Sequence, residues 1–208
     1  MSAADSPIRV SQLDTLVDND PSVIETWQLA FAQKRAVYFP NILDPELGAR
    51  LRQMSAEAPF LQESVDRIGV REVERQDRVG AALWLSLSRP RLLSWLSDVA
   101  GCGELRTATG ALTRMSAGAG HSLGWHDDLA EKERRLAVVV NLSTERYEGG
   151  VFELREKASG TVLYRHVHEE FGSALMFHVA RDLEHRVSPV TSGGPRTVFA
   201  GWFMGARA

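Results

Sequence analysis

The stretch HRVSPVTSGGPRTVFAGWF, residues 185–203, carries the clearest fold signal in this chain. Two runs rich in β-branched and aromatic residues flank the turn sequence SGGP at residues 192–195, which predicts strand, turn, strand. Arg196 opens the second strand, and an antiparallel return directs it into the interior of a β-structure. A buried guanidinium needs an anionic partner, and a dicarboxylate would supply one. An exposed strand arginine is the alternative interpretation of Arg196.

The rest of the C-terminal half shows the same alternation of short strands and glycine-containing turns. This spacing favours a sandwich or barrel over βαβ units, with a jelly roll as the leading candidate. The apolar run at 136–140 predicts a strand that is buried on both faces. The predicted strands are residues 105–115, 121–126, 136–142, 151–155, 161–166, 174–178, 186–190 and 197–204.

The first hundred residues are predicted to be mostly helical. Asp20-Pro21 and Asp44-Pro45 each give an N-cap followed by proline, a third helix starts after Ser88 and ends at Gly101, and a short strand covers residues 36–40. The charged segment 62–80 is predicted to be a strand plus a loop. We therefore expect one domain, residues 1–208, in which a helical layer (1–103) supports a jelly-roll core (104–208).

Bulk properties exclude several classes of protein. The 208 residues carry a net charge of −3 with a pI near 6.1, so no basic field favours nucleic acid or an anionic membrane. The single cysteine, Cys102, precludes an intrachain disulfide framework and fits a reducing compartment. The N-terminus does not resemble a signal peptide, and no apolar run is long enough to span a bilayer. We expect a cytoplasmic protein without nucleic-acid or membrane partners.

His126 and Asp128 end one of the predicted strands. Residues at i and i+2 of a strand share a face, so this imidazole and this carboxylate project together. They are two of the three ligands in the facial triad of non-haem Fe(II) oxygenases, which needs one further histidine. An H-x-D sequence alone is more typical of a polar strand end or of a surface hydrogen bond than of a ligand pair.

The third ligand has to come from a distant strand, and the chain offers several histidines. His166 and His168 lie in a charged stretch that favours a solvated strand end, and His178 ends an apolar strand where a core histidine is expected. His185 is preferred because the strand–turn–strand segment with Arg196 follows it.

Taken in order, these elements resemble the Fe(II)/2-oxoglutarate oxygenases, in particular the prolyl-4-hydroxylase-like branch. The resemblance runs from about residue 37 to residue 203. Its motifs are, in chain order, His126-x-Asp128, the strand at 135–142, Gly149-Gly150-Val151-Phe152, Gly172 with Phe177, His185, Arg196 and Trp202. It implies a mainly β fold with N-terminal helices: a double-stranded β-helix, that is, a cupin-like jelly roll, packed by flanking helices.

The resemblance also implies roles for particular residues. The implied set is His126, Asp128 and His185 as iron ligands, Arg196 on the distal carboxylate of 2-oxoglutarate, Asn141 as a second donor to that carboxylate, and Arg134 and Trp202 at the substrate pocket. Arg134 has a surface charge as its alternative interpretation. The presence of Asp128 argues against a halogenase activity, because the related halogenases carry a small residue at that position.

The implied activity uses Fe(II), 2-oxoglutarate and O2, with ascorbate as a candidate reductant, and releases succinate and CO2. The substrate would be an amino acid, a peptidyl residue or a small metabolite, hydroxylated at an unactivated C–H bond. Residues 62–80, 117–123 and 129–134 are candidates for the mouth of the site, and the charges of the first segment would suit a polar substrate or a solvated loop. The alternative is a non-catalytic, cupin-like metal-binding or small-molecule-binding module. The sequence does not indicate the oligomeric state.

Overall fold

The computed structural model describes residues 6–65 and 67–206. The helices are α1 (Pro21–Lys34), α2 (Pro45–Glu57), α3 (Arg78–Leu87) and α4 (Pro90–Ala100). The strands are β1 (Ile8–Val10), β2 (Thr15–Val17), β3 (Ala36–Phe39), β4 (Phe60–Val65), β5 (Gly69–Glu74), β6 (Leu105–Met115), β7 (Ser122–His126), β8 (Arg134–Asn141), β9 (Tyr147–Gly149), β10 (Phe152–Glu156), β11 (Val162–His166), β12 (Ala174–His178), β13 (Leu183–Val187), β14 (Val190–Gly193) and β15 (Arg196–Gly205). Within the described part of the chain, no helix has the length and apolar character needed to cross a membrane.

Eleven strands form one antiparallel sheet that curls into a nearly closed barrel. Its order is β11-β10-β13-β7-β5-β6-β15-β8-β12-β3, with β4 added on β5. Two short ribbons, β1-β2 and β14-β9, accompany it. The predicted mainly β fold, a jelly-roll double-stranded β-helix with flanking helices, is confirmed.

Strand β8 separates two hydrophobic cores. Leu136, Val138 and Val140 face the helices and join the larger core, whereas Ala137 and Val139 face the barrel interior and join the smaller one. All five are buried, which confirms the prediction of a strand covered on both faces. This alternation places the helical layer outside the sheet and leaves the barrel interior for the site.

The two predicted aspartate–proline helix starts are present. The Asp20 side chain accepts from the backbone N–H of Ser22, and the Asp44 side chain accepts from the N–H groups of Glu46 and Leu47. Each cap satisfies N–H groups that have no partner within the helix. The helix expected after Ser88 is α4, and Gly101 follows it in the left-handed conformation.

The prediction of a strand plus a loop for residues 62–80 is wrong at its C-terminal end. The segment forms the β4–β5 hairpin and the first residues of α3, whose start lacks a local cap from Asp77. The buried Glu74 carboxylate instead accepts from the N–H groups of Arg78, Val79 and Gly80. This cap comes from the preceding strand, so no helix-start pattern marks it. Asp66, one of the charged residues of this candidate mouth segment, lies outside the described residues.

Candidate metal and cosubstrate site

Two neighbouring strands bring His126 and His185 together. Strands β7 and β13 pair antiparallel, and these two histidines stand directly opposite each other in the register. Their ring centroids are 4.1 Å apart. Residues paired across a ladder share a face, so the pairing puts both imidazoles on one side of the sheet, and both line the cavity inside the barrel.

Asp128 reaches the same point because the chain turns sharply after β7. Its φ of 59° lies in the left-handed region, which aspartate tolerates better than most residues. The carboxylate comes within 3.6 Å of His126 Nε2 and 3.5 Å of His185 Nε2. One ligand atom from each of the three residues lies within 4.8 Å of the others, a spacing that a single metal ion can bridge.

Both imidazoles can present Nε2 to a metal. His126 Nδ1 lies 2.7 Å from the carbonyl oxygen of Gly124, which can only accept, so Nδ1 carries a proton and Nε2 is the nitrogen that faces the site. Burial lowers the pKa of His185 to about 3, and the nearby Asp128 carboxylate opposes this shift only in part. The donor set is two imidazoles and one carboxylate, as in the facial triad of Fe(II) oxygenases.

A hydrogen-bonded frame fixes the Asp128 carboxylate. Trp202 Nε1 donates to Asp128 Oδ2 at 2.9 Å, and Arg134 Nη1 donates to the backbone oxygen of Asp128 at 3.2 Å. The Arg134 guanidinium also stacks over the Trp202 ring at 3.6 Å. Arg134 therefore lines the site. The alternative interpretation, a charged side chain on the protein surface, does not fit this position.

A cavity of about 360 Å³ surrounds the three side chains. Its wall is apolar over much of its area, with Phe152, Phe177 and Val198 among the lining residues. Arg196 and Trp202 also line it, since both lie on the inward face of β15. A cavity of this kind excludes water and strengthens electrostatic interactions within it.

Arg196 is buried without a countercharge. It is 3% exposed, its Nη1 makes a weak contact with Met115 Sδ at 3.9 Å, and the neutral side chain of Tyr147 is also adjacent. Nε has no hydrogen-bond partner, and no ion pair to Arg196 occurs among residues 6–65 and 67–206. An unpaired buried guanidinium is costly, and an anionic ligand would remove that cost. Between His185 and Arg196, residues Val190–Gly193 form β14, which pairs with β9.

Asn141 does not line this cavity. Its Nδ2 donates to the backbone oxygen of Glu170 at 2.9 Å, and its Oδ1 accepts from the N–H of Ser143 at 3.1 Å. These bonds brace two loops. The role of Asn141 as a donor to 2-oxoglutarate therefore stays a prediction, while its contacts are structural.

The remaining histidines lie outside the triad. His168 is 3% exposed, so the prediction of a solvated strand end is wrong for it. Burial lowers the pKa of His166 to about 4, with Arg196 adding to the effect. His178 packs edge-on against Phe31, 5.5 Å between ring centroids, and burial lowers its pKa to about 4 as well.

The β4–β5 hairpin and the loop after Asp128 line the mouth of the cavity. Val65, Ile68, Arg71 and Leu129 line it, and the Arg71 guanidinium is paired with Glu63 at 2.6 Å. Of the predicted mouth segments, 62–80 and 129–134 contribute lining residues, and 117–123 contributes Leu123.

Comparisons with known proteins agree with this geometry. A sequence model of the 2OG-Fe(II) oxygenase superfamily matches residues 110–204. No curated protein sequence matches the chain. Among solved structures, an oxidoreductase of the 2OG-Fe(II) oxygenase family from Burkholderia pseudomallei is similar with a TM-score of 0.66 at 17% identity, covering 87% of this chain and 90% of that one.

Two further structures have the same fold. A Pseudomonas putida prolyl-4-hydroxylase aligns with a TM-score of 0.64 at 17% identity, covering 88% of this chain and 100% of that one. SnoN, a non-haem α-ketoglutarate-dependent epimerase from nogalamycin biosynthesis, aligns with a TM-score of 0.65 at 15% identity, covering 90% of this chain and 84% of that one. These structures thus share the fold of this chain, and the superfamily match covers residues 110–204.

Proposed function

We propose that this protein is an Fe(II)- and 2-oxoglutarate-dependent dioxygenase that hydroxylates an unactivated C–H bond of an amino acid, a peptidyl residue or a small metabolite. One observation carries the proposal: a His-Asp-His triad and an unpaired, buried arginine line the same cavity. A metal site alone needs no such arginine. A 2-oxo diacid needs both a metal and a cation.

Each residue has a defined task in this proposal. His126, Asp128 and His185 would hold the iron, and Arg196 would pair with the distal carboxylate of 2-oxoglutarate. When bound, iron with the 2-oxo acid and O2 supplies the oxidant for C–H cleavage, and the 2-oxo acid leaves as succinate and CO2. Trp202 would keep the Asp128 carboxylate in one orientation through its 2.9 Å hydrogen bond.

The mouth of the cavity favours an apolar portion of the substrate at the reacting position. Val65, Ile68 and Leu129 supply apolar surface. Arg71, a charged residue of the segment 62–80, also lines the cavity, where Glu63 pairs with its guanidinium at 2.6 Å. A polar group of the substrate would therefore compete with Glu63 for Arg71. The ordered motifs and the likeness to a prolyl-4-hydroxylase favour the prolyl-4-hydroxylase-like branch.

The test is succinate formation by the Fe(II)-loaded protein from 2-oxoglutarate and O2, screened with amino acids, peptides and small metabolites. We expect His126→Ala to abolish both iron binding and turnover, and Arg196→Ala to raise the 2-oxoglutarate requirement about 100-fold or more. Full turnover by His126→Ala would refute the proposal. A protein that binds metal but never converts 2-oxoglutarate would be the non-catalytic, cupin-like alternative.

A further inference from the structure

We infer that Tyr147 and His168 are positioning residues that orient the Arg196 guanidinium and leave its charge free for the distal carboxylate of the cosubstrate. The inference rests on the proposed function. It extends that function to two residues that neither the sequence motifs nor the resemblance singled out.

The first observation is a cluster of buried polar atoms without partners around Arg196. Within the described part of the chain, the hydroxyl of Tyr147, both ring nitrogens of His168 and Nε of Arg196 have no hydrogen-bond partner. Buried polar groups are nearly always paired, so these unpaired ones require an explanation. Tyr147 and His168 line the same cavity, and Arg196 affects both electrostatically.

Tyr147 is held against Arg196 by the local backbone. Strand β9 pairs with β14 so that Tyr147 stands opposite Gly193, at the start of the turn that leads into Arg196. Gly150, with φ +57°, lies so close that a Cβ there would come 2.8 Å from Arg196 Cδ and 3.0 Å from Tyr147 Cε2. A glycine at position 150 therefore lets the arginine stem and the tyrosine ring pack side by side.

The electrostatic effects agree with this contact. Burial raises the pKa of Tyr147, and the adjacent Arg196 guanidinium acts in the opposite direction. Burial lowers the pKa of Arg196, and Tyr147 opposes that shift. A phenol oxygen packed beside the guanidinium offers a neutral acceptor, which would fix the orientation of Arg196 without cancelling its charge.

His168 is a second neutral polar group within electrostatic reach of Arg196. Its pKa is held well below the ordinary value by burial, and next by Arg196 and His166. The His166 and His168 rings meet edge-to-face with centroids 4.8 Å apart. A carboxylate at position 168 would pair with Arg196 and neutralise it within the protein, whereas a neutral imidazole does not.

The two residues stand behind the arginine rather than beside the metal ligands. Arg196 lines the central cavity, whereas Tyr147 and His168 line an adjoining cavity of about 390 Å³. Glu145 and Glu170 also line that second cavity, and neither forms an ion pair with Arg196 in residues 6–65 and 67–206. This arrangement supports an effect of Tyr147 and His168 through Arg196 instead of direct contact with the ligand.

The test compares the binding of two ligands to Zn(II)-loaded protein by isothermal titration calorimetry. 2-Oxoglutarate has the distal carboxylate, and 2-oxopentanoate has the same chain length without it. We expect Tyr147→Phe to weaken 2-oxoglutarate binding about tenfold and to leave 2-oxopentanoate binding unchanged. Tyr164→Phe, at another partly buried tyrosine, is the matched control and should change neither affinity.

Substitutions at position 168 separate charge from shape. His168→Glu should weaken 2-oxoglutarate binding by about tenfold or more, because its carboxylate competes for Arg196, whereas His168→Gln should stay within about threefold of the wild type. In an Arg196→Ala background, Tyr147→Phe should have no further effect. Unchanged 2-oxopentanoate affinity in each variant shows that the metal site is intact.

Different outcomes refute different claims. If Tyr147→Phe and His168→Glu both bind 2-oxoglutarate like the wild type while Arg196→Ala does not, this inference is wrong and the proposed function stands. If Tyr147→Phe weakens binding equally with and without Arg196, the tyrosine does not act through the arginine. If the wild-type Zn(II)-loaded protein binds neither ligand, the inference and the proposed function are both refuted.

Discussion

The hydrogen bond from Trp202 Nε1 to Asp128 Oδ2 shows how a residue outside the triad can control metal binding. The donor and acceptor of this bond are 2.9 Å apart. The same carboxylate lies 3.6 Å from His126 Nε2 and 3.5 Å from His185 Nε2. Loss of such a supporting partner usually costs metal affinity, because the carboxylate then samples other orientations.

We therefore expect Trp202→Phe to lower metal affinity by about tenfold or more. Phenylalanine keeps the aromatic surface under Arg134 but has no N–H donor. Competition titration of Zn(II) against a chromophoric chelator measures the change. Trp27→Phe is the control, since Trp27 packs against Phe39 in the core beneath the helices. Equal affinities of Trp202→Phe and the wild type would remove Trp202 from the support of Asp128.

The only cysteine gives a prediction that depends on pH. Burial raises the pKa of the Cys102 thiol to about 11. The thiolate is the reactive form, and an ordinary thiol has a pKa near 8.5, so alkylation of the folded protein at pH 7.5 should be about 100-fold slower than that of a free thiol. The rate should rise about tenfold per pH unit until the pH approaches the thiol pKa.

Mass spectrometry after timed exposure to iodoacetamide measures this rate, with the urea-unfolded chain as the control. A fast rate that levels off below pH 9 in the folded protein would contradict a buried, protonated Cys102.

At the scale of elements, the start of α3 depends on one carboxylate from the preceding strand. Glu74 is 5% exposed, and its two oxygens accept from three consecutive backbone N–H groups. These are charge-assisted bonds at the positive end of a helix dipole, which makes them stronger than neutral ones.

Glu74→Gln should lower the free energy of unfolding by about 2 kcal/mol, because the amide has one acceptor oxygen and turns its own N–H groups toward other donors. Urea unfolding followed by far-UV circular dichroism measures the difference. Glu104→Gln is the control, since Glu104 meets Arg106 on the surface with both side chains largely exposed. A loss no larger than that of the control would show that α3 does not need this cap.

Elements also explain which parts of the site could be predicted from the sequence. His126 and His185 were accessible because strand patterning and strand order determine which side chains share a face. Asp128 was predicted at i+2 of the same strand, but it lies after the end of β7 with a φ of 59°, so a turn and not period-2 alternation brings its carboxylate to the site. Tyr147 was not predicted, because β9 has only three residues and its contact with Arg196 follows from pairing with β14. No pattern within a short strand reports which distant strand will pair with it.

The fold follows the same rule. The starts of helices with local caps, such as α1 after Asp20, were predicted from the sequence. Helix α3 was not predicted, because its cap is Glu74 of the preceding strand and not a residue of the helix-start pattern. The prediction for His168 was wrong because the charged residues around it indicate solvent, while the fold buries its ring. Local signals were sufficient where local contacts decide the structure, and insufficient where tertiary contacts do.

At the scale of the whole molecule, the helical layer and the barrel share one hydrophobic core. The core beneath the helices joins Leu51, Leu83 and Leu96 to Val138 and Phe199 of the sheet. Strands from both halves also alternate in the barrel, since β3 pairs with β12, and β5 pairs with β6 and β7. We therefore propose that residues 1–208 form a single cooperative domain in which the first half completes the sheet.

This arrangement predicts that residues 104–208 do not fold alone, although they contain the triad and Arg196. Without the first half, the side chains of Leu136, Val138 and Phe203 would face water, and each large apolar side chain left exposed costs about 1.5–3 kcal/mol. A few such losses equal the whole stability of a typical domain.

The fragment should lack a near-UV circular dichroism signal, bind the dye ANS and show no cooperative urea transition. The full chain should show the near-UV signal and a cooperative urea transition and should not bind ANS. A cooperative transition in the fragment would mean that the barrel is an independent unit and that the helices only cover it.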